Sequence, residues 1–241
     1  MVTVGNQKRF FYVSGTRPCG GLAGGITSSM TFASRRAAGV KLGEYLEREG
    51  VRPAFVLGLP RGGVVVAAEV ARNLDAPLDV LVVRKIGHPR HREFAVGAIA
   101  EPDIVTLDET AIERTHVHPA ELRQIIDEEQ QRLREYQALF ERNHPPDIAG
   151  KSVLIVDDGL ATGSTMEVAV KSAFQRNASE VAVAVPVASS SAFDRLQEAG
   201  AQVYALIVDP EFDAVGRFYD TFAQVEDEEV VELLRQRSPS L

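Results

Sequence analysis

One stretch of the sequence constrains the fold more than any other: an apolar run that ends in two aspartates. Residues 153–156 are Val, Leu, Ile and Val, and they follow the turn signal at Ala149 and Gly150. A short apolar run between turn signals is typical of a strand buried on both faces, as in a parallel sheet. Asp157 and Asp158 come directly after it. They therefore lie at the carboxyl end of the predicted strand, where open α/β sheets bind their ligands.

The loop after the two aspartates has the composition of a phosphate-binding turn. Residues 159–165 read Gly, Leu, Ala, Thr, Gly, Ser and Thr, and residues 166–174 then have helical apolar spacing. Backbone N–H groups at a helix N-terminus bind phosphate, and the hydroxyls of Thr162, Ser164 and Thr165 add donors. Two carboxylates beside such a loop suit a polyhydroxylated group, a divalent cation, or both. The combination indicates a ribose 5-phosphate; a strand that ends in solvated aspartates is the alternative.

This stretch resembles the ribose-phosphate binding motif of the type I phosphoribosyltransferases. That motif has four apolar residues, two acidic residues, and a small-residue loop with Thr-Gly and a closing Thr or Ser. The resemblance implies that Asp157 and Asp158 contact the ribose 2- and 3-hydroxyls of phosphoribosyl pyrophosphate (PRPP). It also implies which residues wrap the 5-phosphate: Ala161, Thr162, Gly163, Ser164 and Thr165. The loop lacks the pattern of a P-loop, and no Gly-x-Gly-x-x-Gly follows a strand, so a dinucleotide site is unsupported.

A second glycine-containing turn follows the apolar run at 54–59 and precedes an apolar helix at 64–74. Backbone N–H groups together with the Arg61 guanidinium would form an anion site, although a plain strand-to-helix turn is the alternative. In the resembled family, the loop after this strand holds the pyrophosphate of PRPP. The resemblance therefore implies pyrophosphate contacts for Arg61, Gly62 and Gly63. It also implies a strained peptide near Pro60 and Arg61.

A basic segment follows the apolar strand predicted at 78–83. Arg84 and Lys85 come at its end, and residues 86–93 are polar and basic, with Gly and Pro. In the resembled family, a mobile loop here closes over PRPP and excludes water from a cation-like transition state. The resemblance implies that Arg84 and Lys85 contact the leaving pyrophosphate; a solvated basic hairpin is the alternative. Further candidates in this segment are His88, Arg90, His91 and Arg92.

The segment after the last predicted strand, 202–208, is rich in aromatic residues. Aromatic side chains suit a flat base. A similar segment in the 6-oxopurine phosphoribosyltransferases implies that Phe212 stacks on the base and that Asp220 lies near the metal or pyrophosphate. An ordinary aromatic anchor is the alternative. The strand at 181–187 has no lysine to match the purine-reading lysine of those enzymes. A purine-like acceptor is therefore only slightly favoured.

Composition limits the class of partner. The net charge of −8 disfavours a general nucleic-acid binder, because such binding depends on Lys and Arg. A single cysteine, Cys19, rules out an intrachain disulfide and a Cys-rich zinc site, and it fits a reducing compartment. No apolar run approaches the length of a membrane span. We expect a cytoplasmic protein that binds PRPP and a small base and does not insert into membranes. The resemblance also allows a homodimer.

The order of the predicted elements gives an α/β fold: a mostly parallel sheet flanked by helices, with an inserted long helix and a small hood region. Residues 1–29 are predicted to form a flexible N-terminal extension. No acidic residue occurs before Glu44, and this composition also resembles that of an organelle transit peptide. Residues 30–241 are predicted to form a single domain with a helical insertion at about 101–150. Its long helix begins at Pro119.

The resemblance implies an enzyme that transfers a phosphoribosyl group from PRPP to a nitrogenous base and releases pyrophosphate. Mg²⁺ would bridge the pyrophosphate and the ribose hydroxyls, since it prefers hard oxygen ligands. The predicted catalytic residues are Asp157, Asp158, Arg84 and Lys85, and the predicted metal contacts, through PRPP or water, are Asp157, Asp158 and Asp220. A PRPP-binding regulatory protein without transferase activity is the alternative. A hydrolase of phosphorylated sugars is disfavoured because no nucleophile–base pair is evident.

Overall fold

A computed structural model describes residues 31–101, 104–140 and 145–237 of the chain. The extension predicted at 1–29 lies outside the described residues. In chain order the elements are α1 (Arg35–Arg48), β1 (Phe55–Gly58), α2 (Gly62–Leu74), β2 (Leu78–Val80), β3 (Val83–His88), β4 (His91–Ala100), β5 (Ile104–Leu107), α3 (Glu109–Thr115), α4 (Pro119–Leu139), β6 (Ser152–Val156), α5 (Ser164–Gln175), β7 (Glu180–Ser189), α6 (Ser190–Glu198), β8 (Gln202–Asp209), a 3₁₀ turn (Val215–Phe218) and α7 (Asp227–Arg237).

Five strands form a parallel sheet in the order β2-β1-β6-β7-β8. The strand β6 lies at its centre, and alternate residues serve the two faces. Leu154 and Val156 pack in the cluster that contains α1 and α2, whereas Val153 and Ile155 pack with α5 and α6. All four are buried. The predicted α/β fold, with a central strand covered on both faces, is confirmed.

After β2 the chain leaves the parallel sheet and forms a second sheet of three antiparallel strands, in the order β3-β4-β5. We call residues 83–139, which include α3 and α4, the hood. The strand predicted at 78–83 is in fact divided, because β2 ends at Val80 and β3 begins a new sheet at Val83. The segment 86–93, where the resemblance implied a mobile loop and a basic hairpin was the alternative, is mostly a hairpin in which His88 pairs with His91. Pairing of β4 with both β3 and β5 stabilises these strands despite their polar sequence.

The long helix begins at Pro119, as the sequence predicts, and Nδ1 of His118 accepts a hydrogen bond from the Ala120 N–H at 3.2 Å. Its buried side chains, which include Leu122 and Leu133, join the core cluster that also contains Ile86 of β3. The helix is thus packed on the antiparallel sheet. In the described part of the chain, no helix is both long and apolar enough to cross a membrane.

The first described residues, just before α1, pair with the segment around residues 218–220. The Phe32 N–H donates to the Phe218 carbonyl at 2.7 Å, and the Asp220 N–H donates to the Phe32 carbonyl at 2.8 Å. The chain then continues to α7, which packs against α2 and β2. Residues 219–227, which we call the C-terminal strap, are therefore held close to the carboxyl edge of the parallel sheet.

Candidate functional site

The two predicted anion-binding loops meet at the carboxyl edge of β1 and β6. A Cβ atom placed on Gly62 would lie 2.1 Å from Oδ2 of Asp158, and one on Gly63 would lie 2.8 Å from Oδ1 of Asp157. Both distances are shorter than real Cβ contacts, so only glycine allows this approach. The glycines of the first loop are therefore packed directly on the two carboxylates of the second. The structure brings these four predicted site residues together.

The Arg61 side chain extends from the first loop towards the C-terminal strap. Its Nη1 atom lies 3.9 Å from Oδ1 of Asp227, the first residue of α7. About a third of each side chain is exposed, so the guanidinium can still reach a ligand. The peptide bond between Pro60 and Arg61 is cis, at the place where the resemblance implied a strained peptide.

The aspartate pair is crowded and largely shielded from water. The Asp158 N–H donates to Oδ1 of Asp157 at 2.8 Å. Burial raises the pKa of Asp157 well above its usual range, and the neighbouring charge of Asp158 raises it further. Burial also raises the pKa of Asp158, against the opposing effect of a hydrogen bond from Arg35. The site therefore holds two carboxylates whose negative charges are not fully balanced by nearby cations.

Arg35, in the first turn of α1, supplies the cation beside this pair. Its Nε donates to Oδ2 of Asp158 at 2.7 Å, and its Nη1 donates to the Ala223 carbonyl at 2.7 Å. The guanidinium carbon lies 3.7 Å from the centre of the Phe222 ring. Sequence reasoning missed this residue. No local signal separates Arg35 from Arg36 beside it, since only the fold brings one of them to the site.

Tyr219 of the C-terminal strap was also missed. Its hydroxyl donates to the backbone carbonyl of Asp158 at 2.6 Å, and its side chain is buried. Burial and the charge of Asp158 raise the pKa of the phenol far above its usual range, so it stays protonated and acts as a donor. This bond fixes the backbone at the position where the acidic pair ends and the small-residue loop begins.

The predicted phosphate loop, residues 161–165, is fixed at both ends. The Ser189 hydroxyl donates to the Ala161 carbonyl at 2.6 Å, and the helix α5 begins at Ser164. Gly163 adopts φ +73°, a left-handed conformation that favours glycine. The hydroxyls of Thr162 and Ser164 lie 3.1 Å apart, and Thr162 is exposed. The loop thus presents hydroxyls and the N-terminus of a 12-residue helix on the same edge as the aspartates.

The two basic side chains of β3 that were predicted to contact pyrophosphate, Arg84 and Lys85, point to opposite faces of the strand. Arg84 turns towards α4, where its Nε is 2.9 Å from Oε2 of Glu129 and its guanidinium carbon is 5.7 Å from the Tyr136 ring centre. Lys85 is exposed and, as the next residue of a strand, points to the opposite face. The side chain of Arg92 lies outside the described residues. The structure therefore places Arg84 against the hood helix.

The last two predicted residues lie in the aromatic segment after β8. Phe212 is half-buried, and its ring stacks on that of Phe218 with centroids 5.2 Å apart. Asp220 is exposed and accepts a hydrogen bond from the Thr31 hydroxyl at 2.8 Å. Within residues 31–101, 104–140 and 145–237, no group of three or more His, Cys, Asp or Glu side chains could hold a metal ion. The structure thus does not gather Asp220 with the aspartate pair.

Comparisons with known proteins agree with this architecture. A family model of the phosphoribosyl transferase domain matches residues 33–204. Two relatives from Mycobacterium tuberculosis, strains CDC 1551 and H37Rv, provisionally named phosphoribosyl transferases, are 39% identical to the chain over 208 residues. The match covers 84% of this chain and 46% of each relative, so the chain spans about half the length of these curated relatives. The solved structure of TT1426 from Thermus thermophilus is 42% identical, with a TM-score of 0.78 over 87% of this chain and 100% of that one.

Proposed function

Because the chain belongs to the phosphoribosyl transferase domain family, we propose that it transfers a phosphoribosyl group from PRPP to a nitrogenous base and releases pyrophosphate. One observation carries the proposal. The glycines of the first loop pack on the two aspartates that precede the hydroxyl-rich loop, so both anion sites adjoin one pair of carboxylates. A sugar that bears a phosphate at one end and a pyrophosphate at the other has matching chemistry.

In the proposed complex, each part of PRPP has its own set of residues. Asp157 and Asp158 accept hydrogen bonds from the ribose hydroxyls, while residues 161–165 donate to the 5-phosphate. Arg61, Gly62 and Gly63 donate to the pyrophosphate. The bond between the anomeric carbon and the pyrophosphate oxygen breaks, the oxygen keeps the electron pair, and a base nitrogen forms the new bond. The two carboxylates favour the positive charge that develops on the ring.

The aspartate pair fits a Mg²⁺ ion that arrives with PRPP. This ion commonly binds one or two carboxylates and takes its remaining ligands from phosphates and water. When bound, it would neutralise charge on the departing pyrophosphate. We place Asp157 and Asp158 near it and leave Asp220 outside, because Asp220 is hydrogen-bonded to Thr31. The single cysteine and this chemistry suit a cytoplasmic setting.

For the acceptor, we propose that Phe212 offers a flat apolar surface near the end of β8. Its ring is half-buried and parallel within 22° to that of Phe218, which holds it in place. A planar nitrogenous base suits such a surface. The roles of Arg84 and Lys85 in pyrophosphate departure remain predictions. That of Arg84 requires the side chain to leave Glu129.

The test is pyrophosphate release from Mg²⁺-PRPP across purines, pyrimidines and other nitrogen bases. Release that depends on one base would support the transferase and identify its acceptor. A variant with Asp157→Asn and Asp158→Asn, which keeps the shape of both side chains, should show no release and serves as the control. If PRPP binds but no base gives release, the result would favour a PRPP-binding regulatory protein. Absence of PRPP binding would contradict both functions.

A further inference from the structure

Arg35, which lies outside the motifs that predicted the site, contacts several of its parts. Its guanidinium contacts Asp158, the Ala223 carbonyl and the Phe222 ring. A Cβ atom on Gly62 would also lie 2.7 Å from its Nε, so the side chain contacts the first loop as well. One side chain thus joins α1, both predicted PRPP-binding loops and the C-terminal strap.

We propose that Arg35 is a positioning residue for phosphoribosyl transfer, which orients the Asp158 carboxylate towards ribose and joins it to the first loop and the C-terminal strap. The proposal rests on the proposed function, because Asp158 has this role only if ribose binds there. A carboxylate has two acceptor oxygens. Oδ2 of Asp158 stays with Arg35, and Oδ1 can accept from a ribose hydroxyl.

The pair is well suited to positioning because little water reaches it. The exposed fractions of the Arg35 and Asp158 side chains are 12% and 16%. In such surroundings a charge-assisted hydrogen bond is strong and directional, whereas exposed pairs contribute little. The carboxylate is close to both Nε of Arg35 and Gly62, which limits its rotation.

Arginine has a geometry that lysine cannot reproduce here. Its planar fork donates at the same time to a carboxylate from Nε and to a carbonyl from Nη1, while its face packs on an aromatic ring. Residues 222 and 223 belong to the C-terminal strap, where Tyr219 holds the Asp158 carbonyl. The strap is therefore linked to Asp158 in two ways: the Tyr219 hydroxyl contacts the Asp158 carbonyl, and Arg35 connects the strap to the Asp158 carboxylate.

The experiment is calorimetric titration of Mg²⁺-PRPP into the full chain at neutral pH. Arg35→Gln should weaken binding by about tenfold or more, the effect of losing one charge-assisted hydrogen bond. Arg35→Lys should keep the charge and lose only about threefold, so the conservative variant should rescue most of the binding that Arg35→Gln loses. The control is Arg36→Gln, which breaks an exposed pair with Glu229 and should change binding by less than about twofold.

A second variant keeps the test decisive if Arg35→Gln does not fold. Phe222 is 39% exposed, so Phe222→Leu should fold and should weaken binding in the same direction by a few-fold, through looser packing of Arg35. If the wild type binds Mg²⁺-PRPP and the Arg35 and Phe222 variants match its affinity, the inference is wrong and the proposed function stands. If the wild type does not bind Mg²⁺-PRPP, both are wrong.

Discussion

The carboxyl edge of the parallel sheet and the hood both contain buried carboxylates next to arginines, but the ratio of charges is reversed. At the edge, two aspartates lie side by side, Asp157 and Asp158. Among the ion pairs of the described residues, one close guanidinium accompanies them, that of Arg35. In the hood, the single carboxylate of Glu129 contacts two guanidiniums, from Arg84 and Arg132. The edge therefore keeps an excess of negative charge, whereas the charge of the Glu129 carboxylate is fully balanced by the two arginines.

This difference separates a ligand site from a structural cluster. Buried carboxylates without full compensation destabilise the folded chain, and they persist where a ligand or a developing positive charge needs them. The Glu129 carboxylate, only 7% exposed, holds α4 to β3 through Arg84 and needs no ligand to be satisfied. An arginine at the end of a strand is thus insufficient to identify a catalytic cation, because its partner decides its role.

The largest effect is expected where the edge loses its charge. Asp157→Asn together with Asp158→Asn should weaken Mg²⁺-PRPP binding by roughly 10²–10⁴-fold, since two charged acceptors of hydrogen bonds are lost. The fold should persist. Because burial raises the pKa of both groups, their ionised forms destabilise the folded state at neutral pH. The double variant should therefore melt at the same or a higher temperature than the wild type.

Calorimetry for PRPP binding and thermal unfolding at pH 5 and pH 8 would check both effects. The wild type should gain stability relative to the variant as the pH falls through the raised pKa values, because the carboxyls then become neutral. Unchanged PRPP affinity in the double variant would contradict the assignment of the site.

The next largest effect should come from the contact between the two loops. Gly62→Ala places a Cβ atom where only 2.1 Å separates it from the Asp158 carboxylate, so the loop or the carboxylate must move. We expect a stability loss of about 1–3 kcal/mol, typical of overpacking, and PRPP binding at least about tenfold weaker. Chemical unfolding and PRPP titration would measure the two effects.

The matched control is Gly50→Asn. A Cβ atom placed on Gly50 would meet nothing within 4 Å, and the residue adopts φ +74°, a conformation that asparagine tolerates. PRPP affinity should then match that of the wild type. Equal losses in the two variants would show that any glycine replacement damages the protein, and the claimed loop contact would lose its support.

A smaller and different effect is expected in the hood. Glu129→Gln removes the charge that both arginines share, and should cost about 1–2 kcal/mol, less than a fully buried pair because the arginines are 29% and 44% exposed. Hydrogen exchange should quicken in 119–139 and not in β6. Glu135→Gln, at an exposed position of the same helix, is the control. Faster exchange in β6 as well would show that the hood and the core unfold together.

The same variant tests whether Arg84 also serves the reaction. If the released guanidinium reaches pyrophosphate, the KM for PRPP should fall in Glu129→Gln while the hood becomes less stable. An unchanged KM would leave Arg84 with a structural role alone.

The smallest effect is expected at Asp220. Its carboxylate is exposed and bonded to Thr31, so Asp220→Asn should change stability by less than about 0.5 kcal/mol and PRPP affinity by less than about twofold. Titration with PRPP at several Mg²⁺ concentrations would measure it. A large shift in the Mg²⁺ dependence would restore Asp220 to the metal contacts predicted from the sequence.

The core fold and the two loops that form the candidate site could be predicted from the amino-acid sequence alone. Buried strands such as β6 have continuous apolar sequences, and the glycines, hydroxyls and acids that follow them are local features that do not depend on distant contacts. Because the strands are parallel, their carboxyl ends share one edge, so loops almost a hundred residues apart could be expected to meet there.

Which charges face which, in contrast, depends on packing in three dimensions. The sequence offers no reason to choose Arg35 over Arg36, or to connect Arg84 with Glu129, because each pairing depends on how a helix is rotated against a sheet. It also could not show that β3 leaves the parallel sheet, since a strand's partners are set by long-range hydrogen bonds rather than by its own residues. Local patterns reveal which residues can bind a phosphate, whereas the ion pairs that control them form only when distant segments pack together.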